Sequence, residues 1–524
     1  MNARDRVASL TSSFDEQDVG LATTDPLSFE GYRVQMDEAR SDTGLDEACI
    51  WGWADVSGAP CALVVFDFRF MGGSMGMVVG EKVARAFDAA RRARKPVVTV
   101  TASGGARMQE GMWSLVQMAK TVEARRRHAD AGLLHITLLT SPTTGGVYAS
   151  FASLADIIFA ESGATVGFAG PRVVQHLTGQ TPPPGVHRAE FALAHGFVDA
   201  IVDPGGAASA IAAALSIAAA PPASKSKRDA APTPYAQRSG AGASAGASPV
   251  APAGAWERLQ RVRAGSRLRG PQILDDLLSA GVELHGDRSG AADDRSVVVR
   301  IGSLRDGGRT VVAIAQDADT RIEPQGFRKA IRAIELAGRL GHPVLTLIDT
   351  RGADPLPASE ALGVAPAIAA TFDAMLACPS PTLSVICGEG GSGGALAMAV
   401  ADRVIASENA VFSVIAPEGA AAILYRDAGR APELAERLRI GTEDLTELGV
   451  VDVVVPEDPA GVDGIAKAQV NVQMLSSVVA SELDRLAEAR RPRRLAARHR
   501  RWRQGARPSP RPSPRPSRRR PRGR

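Results

Sequence analysis

The chain has 524 residues, 45% hydrophobic and only 4% aromatic, with 53 glycines. That length accommodates several domains with sizeable cores, in which small side chains do much of the packing. The formal net charge of +4 comes from one end: residues 491–524 carry 15 arginines and no acidic residue, so the rest of the chain is acidic and nucleic-acid binding is not expected as the main activity.

The first residues, MNARDRVASLTSSFDEQ, have no apolar run behind their basic positions, so no secretory signal is expected. Apolar runs such as 133–140 fall far short of a membrane span. A soluble cytoplasmic protein without a membrane partner is therefore expected. Cys49, Cys61, Cys378 and Cys387 form no CxxC pair and histidines number only 8, which suits reduced, isolated thiols and no metal site.

Residues 1–45 read as a polar, irregular N-terminal extension with room for a short helix. Residues 46–205 form a first folded unit. Residues 206–250 are a linker of Ala, Pro, Ser and Gly, with a helical stretch over Ala207–Ala220 that Pro221 and Pro222 end. Residues 251–475 form a second unit, and 476–524 read as a disordered tail of arginine and proline, a solvated extension. The second unit repeats the first. Lys95-Pro96 leads into VVTVT and SGGA, and His342-Pro343 leads into VLTLID and RGAD. Gly104 lies 41 residues before Gly145, and Gly352 lies 41 before Gly393. The strand-like runs are apolar throughout and flanked by helices, the pattern of an α/β sheet covered on both faces. Neither GxGxxG nor a phosphate-cradling GxxxxGK[ST] is present.

Glycine pairs carry the chemical signal. Gly104-Gly105 and Gly393-Gly394 each follow a strand and precede an apolar helix. Such pairs let the backbone turn sharply, and they leave N–H groups at a helix start where an enolate or oxyanion is stabilised. The plain alternative is a tight strand-to-helix crossover. Gly72-Gly73, Gly145-Gly146 and Gly167–Gly170 are further close-approach positions, and Arg107, Arg172 and Lys82 are candidate anion contacts.

GGSMG (72–76), SGGARMQEG (103–111), PTTGGVYASFA (142–152) and GFAGPRVV (167–174) resemble the β subunit of bacterial acetyl-CoA carboxylase carboxyltransferase. LHGDR (284–288), PQGFRKA (324–330), GEGGSGGALA (388–397) and SVIAPEGAAAIL (413–424) resemble its α subunit. The resemblance implies two crotonase-like β-β-α superhelix domains in tandem, facing each other across an active site. It implies transfer of a carboxyl group from N-carboxybiotin to acetyl-CoA, giving malonyl-CoA, or to propionyl-CoA or another acyl-CoA. By resemblance, Gly104 and Gly105 hold the thioester enolate oxygen, and Gly393 and Gly394 the biotin ureido oxygen. Gly72, Gly73, Arg107, Gly145, Gly146, Gly170, Arg172, Gly390 and Gly391 would line the substrate sites. The chain lacks the four-cysteine zinc ribbon of many β subunits, so no zinc is expected. It has neither an ATP-binding pattern nor the MKM biotinylation motif, so a biotin carboxyl carrier protein and a biotin carboxylase must be partners. At least a homodimer is expected. DTRGADPL (349–356) departs from the family's DTPGAYPG at Arg351, Asp354 and Leu356. A hydratase using Glu110 or Glu389, and a non-catalytic scaffold, are the competing readings.

Overall fold

The computed structural model describes residues 1–170, 174–175, 179, 181–219, 253–458 and 469–504. Arg172, most of the expected linker and residues 505–524 lie outside the described residues.

The first sheet contains β1 (Ser13–Gln17), β2 (Cys49–Val56), β3 (Ala59–Phe66), β4 (Val97–Ser103), β5 (His135–Thr144), β6 (Ile157–Glu161), β7 (Val166–Gly167) and β8 (Ala200–Val202). Its order is β1-β2-β3-β4-β5-β6-β8, with β7 beside the end of β5. The second contains β9 (Leu278–Leu284), β10 (Val297–Leu304), β11 (Thr310–Gln316), β12 (Val344–Thr350), β13 (Thr382–Gly391), β14 (Arg403–Ser407), β15 (Val411–Ser413) and β16 (Val453–Val455). Its order, β9-β10-β11-β12-β13-β14-β16 with β15 beside β13, repeats the first. In both, two antiparallel pairings are followed by parallel ones. Every residue of β4, β12 and β13 is buried, as expected for strands covered on both faces. The chain is thus two mixed α/β units in tandem.

Sequence punctuation sets the helices that feed the central strands. Helix Pro324–Leu340 starts with proline in its first turn and ends at Gly341, whose φ of 75° closes the C-terminus. Helix Met77–Ala93 stops at Arg94 in the left-handed region, and Lys95-Pro96 then leads into β4. One apolar core runs through both units, from Ala3 to Trp502.

Two expectations are corrected. The first 45 residues are not an irregular extension: β1 pairs with β2, and helix Ala3–Leu10 buries Ala3, Val7 and Leu10. The tail is not disordered over 476–504, where helices Val472–Glu488 and Arg491–Gln504 stand. The second of these is rich in arginine, and the arginines on its inward face are paired. Arg498 donates to Asp402 at 2.9 and 2.5 Å and to three backbone carbonyls. Arg501 reaches Asp452 at 2.6 Å, and Trp502 donates its indole N–H to the Ala401 carbonyl at 3.0 Å. Arg503 crosses to the first unit and binds Glu81 at 3.0 Å and Asp88 at 2.8 Å. Like charges do not unfold this stretch, because Asp402, Asp452, Glu81 and Asp88 neutralise its inward-facing arginines while Arg491, Arg493 and Arg500 stay exposed to solvent.

Candidate active site

β4 and β12 each run into a loop whose geometry is duplicated. Gly105 (φ 118°) and Gly352 (φ 109°) are equivalent. Each donates its N–H to the hydroxyl two residues earlier, Ser103 or Thr350, at 3.1 Å. Their carbonyls accept the N–H of Met75 (2.8 Å) and Ile322 (3.2 Å), and the Met75 and Ile322 carbonyls accept from Arg107 and Asp354. These bridges use the residues on either side of Ala106 and Ala353, so the N–H groups of those two alanines point the other way. Both alanines line the central cavity.

β5 and β13 end in the matching second element. Gly145 (φ 59°) and Ser392 (φ 58°) share the same left-handed backbone, and Gly146 and Gly393 follow them. They open helices Gly145–Tyr148 and Ser392–Ala399, whose own ladders leave the first-turn N–H groups unpaired. The register expected from the sequence is therefore one residue off. The 41-residue spacing holds, but it relates Gly105–Gly146 to Gly352–Gly393, not Gly104–Gly145.

The two turns approach each other across the boundary between the units. A Cβ on Gly146 would lie 3.3 Å from the Met118 sulfur, and one on Gly393 2.9 Å from the same atom. Met118 sits on helix Met112–Asp130 of the first unit and is buried. The cavity, of about 300 Å³, is lined by Gly104, Gly105, Gly145, Gly146 and Gly170 from one side and Gly391 and Gly393 from the other. Its walls are mostly apolar: Met108, Leu115, Phe168, Val414 and Ile423 take part. Arg321, Arg351 and Glu389 supply side-chain charge, and Arg263 grips Glu389 with two 2.7 Å bonds.

Other sequence candidates fall elsewhere. Gly104-Gly105 do not open a helix, because a 3-10 turn (Met108–Glu110) intervenes before Met112. The Gly104 N–H is taken by the Gly72 carbonyl at 2.8 Å, and the Gly105 N–H by Ser103. Gly72 lines a separate cleft, and Gly73 packs against the Ala102 carbonyl, where a Cβ would overlap. Gly390 packs on Phe412, and Gly394 on Ala353 and Phe327. The Arg107 guanidinium is wholly buried and donates to Glu47 (2.9 Å), Tyr32 (3.2 Å) and Ser74 (3.0 and 2.9 Å). Burial works against its charge, but Glu47, Tyr32 and Glu110 hold it firmly protonated. It braces the loop rather than meeting a ligand. Lys82 is buried and donates to the Cys49 carbonyl at 3.2 Å. Glu110 accepts from Tyr32, Thr23 and the Met77 N–H, away from the cavity, and burial raises its pKa.

The sequence reading missed Met118, Ala106, Ala353 and Ser392. Ser392 could have been found by sliding the repeat one residue, since it stands where the first unit has Gly145. The four cysteines are buried, and burial pushes Cys49 and Cys61 up to about 12. Among the described residues, no group of three or more His, Cys, Asp or Glu side chains could hold a metal ion. Among them, too, no helix is long and apolar enough to cross a membrane.

Residues 249–506 match the family model for acetyl co-enzyme A carboxylase carboxyltransferase-like proteins, and 21–185 match the carboxyl transferase domain. The chain is 45% identical to the acetyl-coenzyme A carboxylase carboxyl transferase subunits beta/alpha of Salinispora arenicola, over 85% of this chain and 81% of that protein. It is 41% identical to the protein of the same description from Parafrankia sp., over 97% and 87%. It is also 33% identical to a probable biotin-dependent acyl-coenzyme A carboxylase beta3 subunit of Mycobacterium bovis, over 91% and 92%. With two repeated units, a glycine turn from each at one cavity, and identity of this order along most of its length, the chain belongs to the fused beta/alpha family of acetyl-coenzyme A carboxylase carboxyl transferases.

Proposed function

We propose that this enzyme transfers the carboxyl group of N-carboxybiotin, carried on a separate protein, to acetyl-CoA, giving malonyl-CoA. The observation that carries the reading is the pair of matched turns on one cavity. Ala106 and Gly146 line it from the first, Ala353 and Gly393 from the second, and on this reading their N–H groups are the donors. Two sets of backbone donors suit two oxygens that gain negative charge in one reaction. The first-unit turn takes the thioester oxygen of the acyl-CoA, and the second the ureido oxygen of biotin. Stabilising charge on the ureido oxygen releases CO2 and leaves the electron pair on nitrogen. That nitrogen removes a proton from the acetyl methyl group. The resulting enolate carbon attacks CO2, so biotin and malonyl-CoA leave. Backbone donors are fixed before the reaction, so the protein pays little reorganisation as charge develops. Enclosure within apolar walls strengthens each of those interactions.

On this reading each unit winds as a crotonase-like superhelix. A biotin carboxyl carrier protein and a biotin carboxylase act as partners, and the chain assembles as at least a homodimer. A hydratase reading loses support from Glu110, which is buried away from the cavity, and from Glu389, which is held by Arg263.

The test is reverse transfer. Purified protein is given malonyl-CoA or methylmalonyl-CoA with biotin or biotinylated carrier. Biotin-dependent conversion of malonyl-CoA to an equal amount of acetyl-CoA is expected. Preference for methylmalonyl-CoA would move the acceptor to propionyl-CoA, and no biotin-dependent turnover of either by folded protein would refute the transferase reading.

A further inference from the structure

We infer that Glu360, in the second unit, is a positioning residue for the glycine turn of the first unit, an inference that rests on the carboxyl-transfer reading above. Glu360 lies on the short helix Pro357–Ala361 and is 7% exposed. One of its carboxylate oxygens accepts two backbone N–H groups across the boundary between the units, from Phe168 at 2.7 Å and Ala169 at 3.0 Å. The Phe168 carbonyl in turn accepts the N–H of Gly145 at 2.8 Å. Gly145 is the left-handed residue of that turn, and it lines the cavity together with Gly146. A continuous line of hydrogen bonds thus runs from a side chain of one unit to the candidate anion turn of the other.

The surroundings are built for that contact. A Cβ on Gly167 would lie 2.6 Å from the His187 ring and 3.3 Å from the Glu360 carboxylate, so only glycine leaves the approach open. Among the described residues, no lysine or arginine pairs with Glu360; the His187 imidazole stands beside it, with Nε2 at 3.6 Å. Among the described residues, the hydrogen bonds to the Glu360 carboxylate come from backbone N–H groups. A buried carboxylate without a strong counter-ion is costly, and an apolar side chain would join two surfaces more favourably. Fixing one loop is what two converging charge-assisted hydrogen bonds do better than apolar contact. Phe168, Ala169 and Gly170 all line the cavity, so a shift of this loop moves both the wall and the Gly146 donor.

The experiment compares wild type, E360Q and E360A in reverse transfer, with amide hydrogen exchange read on the same proteins. Glutamine keeps an acceptor oxygen at the same reach, and alanine removes it. E360A is expected to lose roughly 100-fold in kcat, the scale of a misplaced reacting geometry, with KM for malonyl-CoA within about threefold. E360Q is expected to recover most of that loss. Faster exchange at the Phe168, Ala169 and Gly145 amides of E360A, with β12 still protected, is the accompanying signature. Wild-type kcat in E360A, unchanged exchange at those three amides, or loss of protection throughout both sheets would overturn the inference. If wild type itself fails to transfer, the functional reading falls, and exchange at the three amides still decides whether Glu360 holds the loop.

Discussion

Gly391, Gly393 and Gly394 lie within four residues, yet an added methyl group meets a different neighbour at each. At Gly391 it would overlap the Arg351 backbone, and at Gly394 it would sit 2.9 Å from the Ala353 nitrogen. At Gly393 it meets only the mobile tip of Met118, at 2.8 Å. G393A is therefore expected to fold with a melting temperature close to wild type but to lose at least tenfold in kcat, because Met118 is pushed towards the space between the turns. G391A, forced against backbone, should be destabilised by about 1–3 kcal/mol, read from the shift in denaturant midpoint. Asp349 gives a pH prediction. It is 1% exposed, and burial pushes its carboxyl up to about 7 despite Arg269 and Arg267 nearby. The folded state therefore holds this proton more tightly than the unfolded chain does. The contribution to stability is full below pH ~4, and is lost as pH rises through about 7. Melting temperature should fall as pH rises from about 4 to about 7 and level off above that, and D349N should remove most of that fall. At this scale the sequence was informative about which loops matter and poor about which atoms. Glycines were legible because each loop is crowded. Whether a glycine faces a cavity or a strand depends on a one-residue register that composition does not encode. Arg107 looked available because Glu47 and Tyr32, its partners, lie far away in sequence.

The terminal helix Arg491–Gln504 is an element held by charge. Asp402 is buried, and Arg498, itself without exposed surface, is its main partner. R498A would leave that carboxylate only Arg494 at 3.7 Å and the Thr382 donors, and is expected to cost about 3–5 kcal/mol, measurable by urea titration. The cross-unit contacts of Arg503 have an acid signature. Burial alone would raise the Glu81 pKa, but Lys120 and Arg503 hold it down at about 2. Its contribution is present above the ordinary carboxylate range and lost as pH falls from about 4.5 towards 2, so R503A should reduce this acid-labile part of the unfolding transition. Helix starts and stops around β4 and β12 could be read from Pro324, Gly341 and Lys95-Pro96. The terminal helix could not. Its stability comes from Asp402, Asp452, Glu81 and Asp88, which local propensity and local charge both omit.

The molecule as a whole is knit by contacts between the units as well as within them. Arg126 pairs with Asp373 at 2.9 Å, Arg437 with Glu30 at 2.7 Å, and helix Met112–Asp130 carries Met118 to Gly393. Residues 1–219 and 253–504, expressed together as two chains, are expected to co-purify and to retain reverse transfer within about tenfold; separate elution without activity would show that covalent linkage is essential. The duplication was legible in the sequence because apolar strands and glycine loops recur at equal spacing. The docking of the copies was not, since it depends on residues such as Met118 that look like ordinary core. That single thioether lies where an added methyl group on either turn would meet it, and the matched geometry of those two turns has a kinetic consequence. The two turns share their backbone angles, Gly105 matching Gly352 and Gly145 matching Ser392, so on the proposed reading the scaffold offers like donors to the thioester and ureido oxygens and favours neither bound state. The interconversion on the protein should then be close to even, with net direction set by supply and removal of the free species. Rapid-quench analysis of a single turnover should find comparable amounts of both acyl forms bound at once.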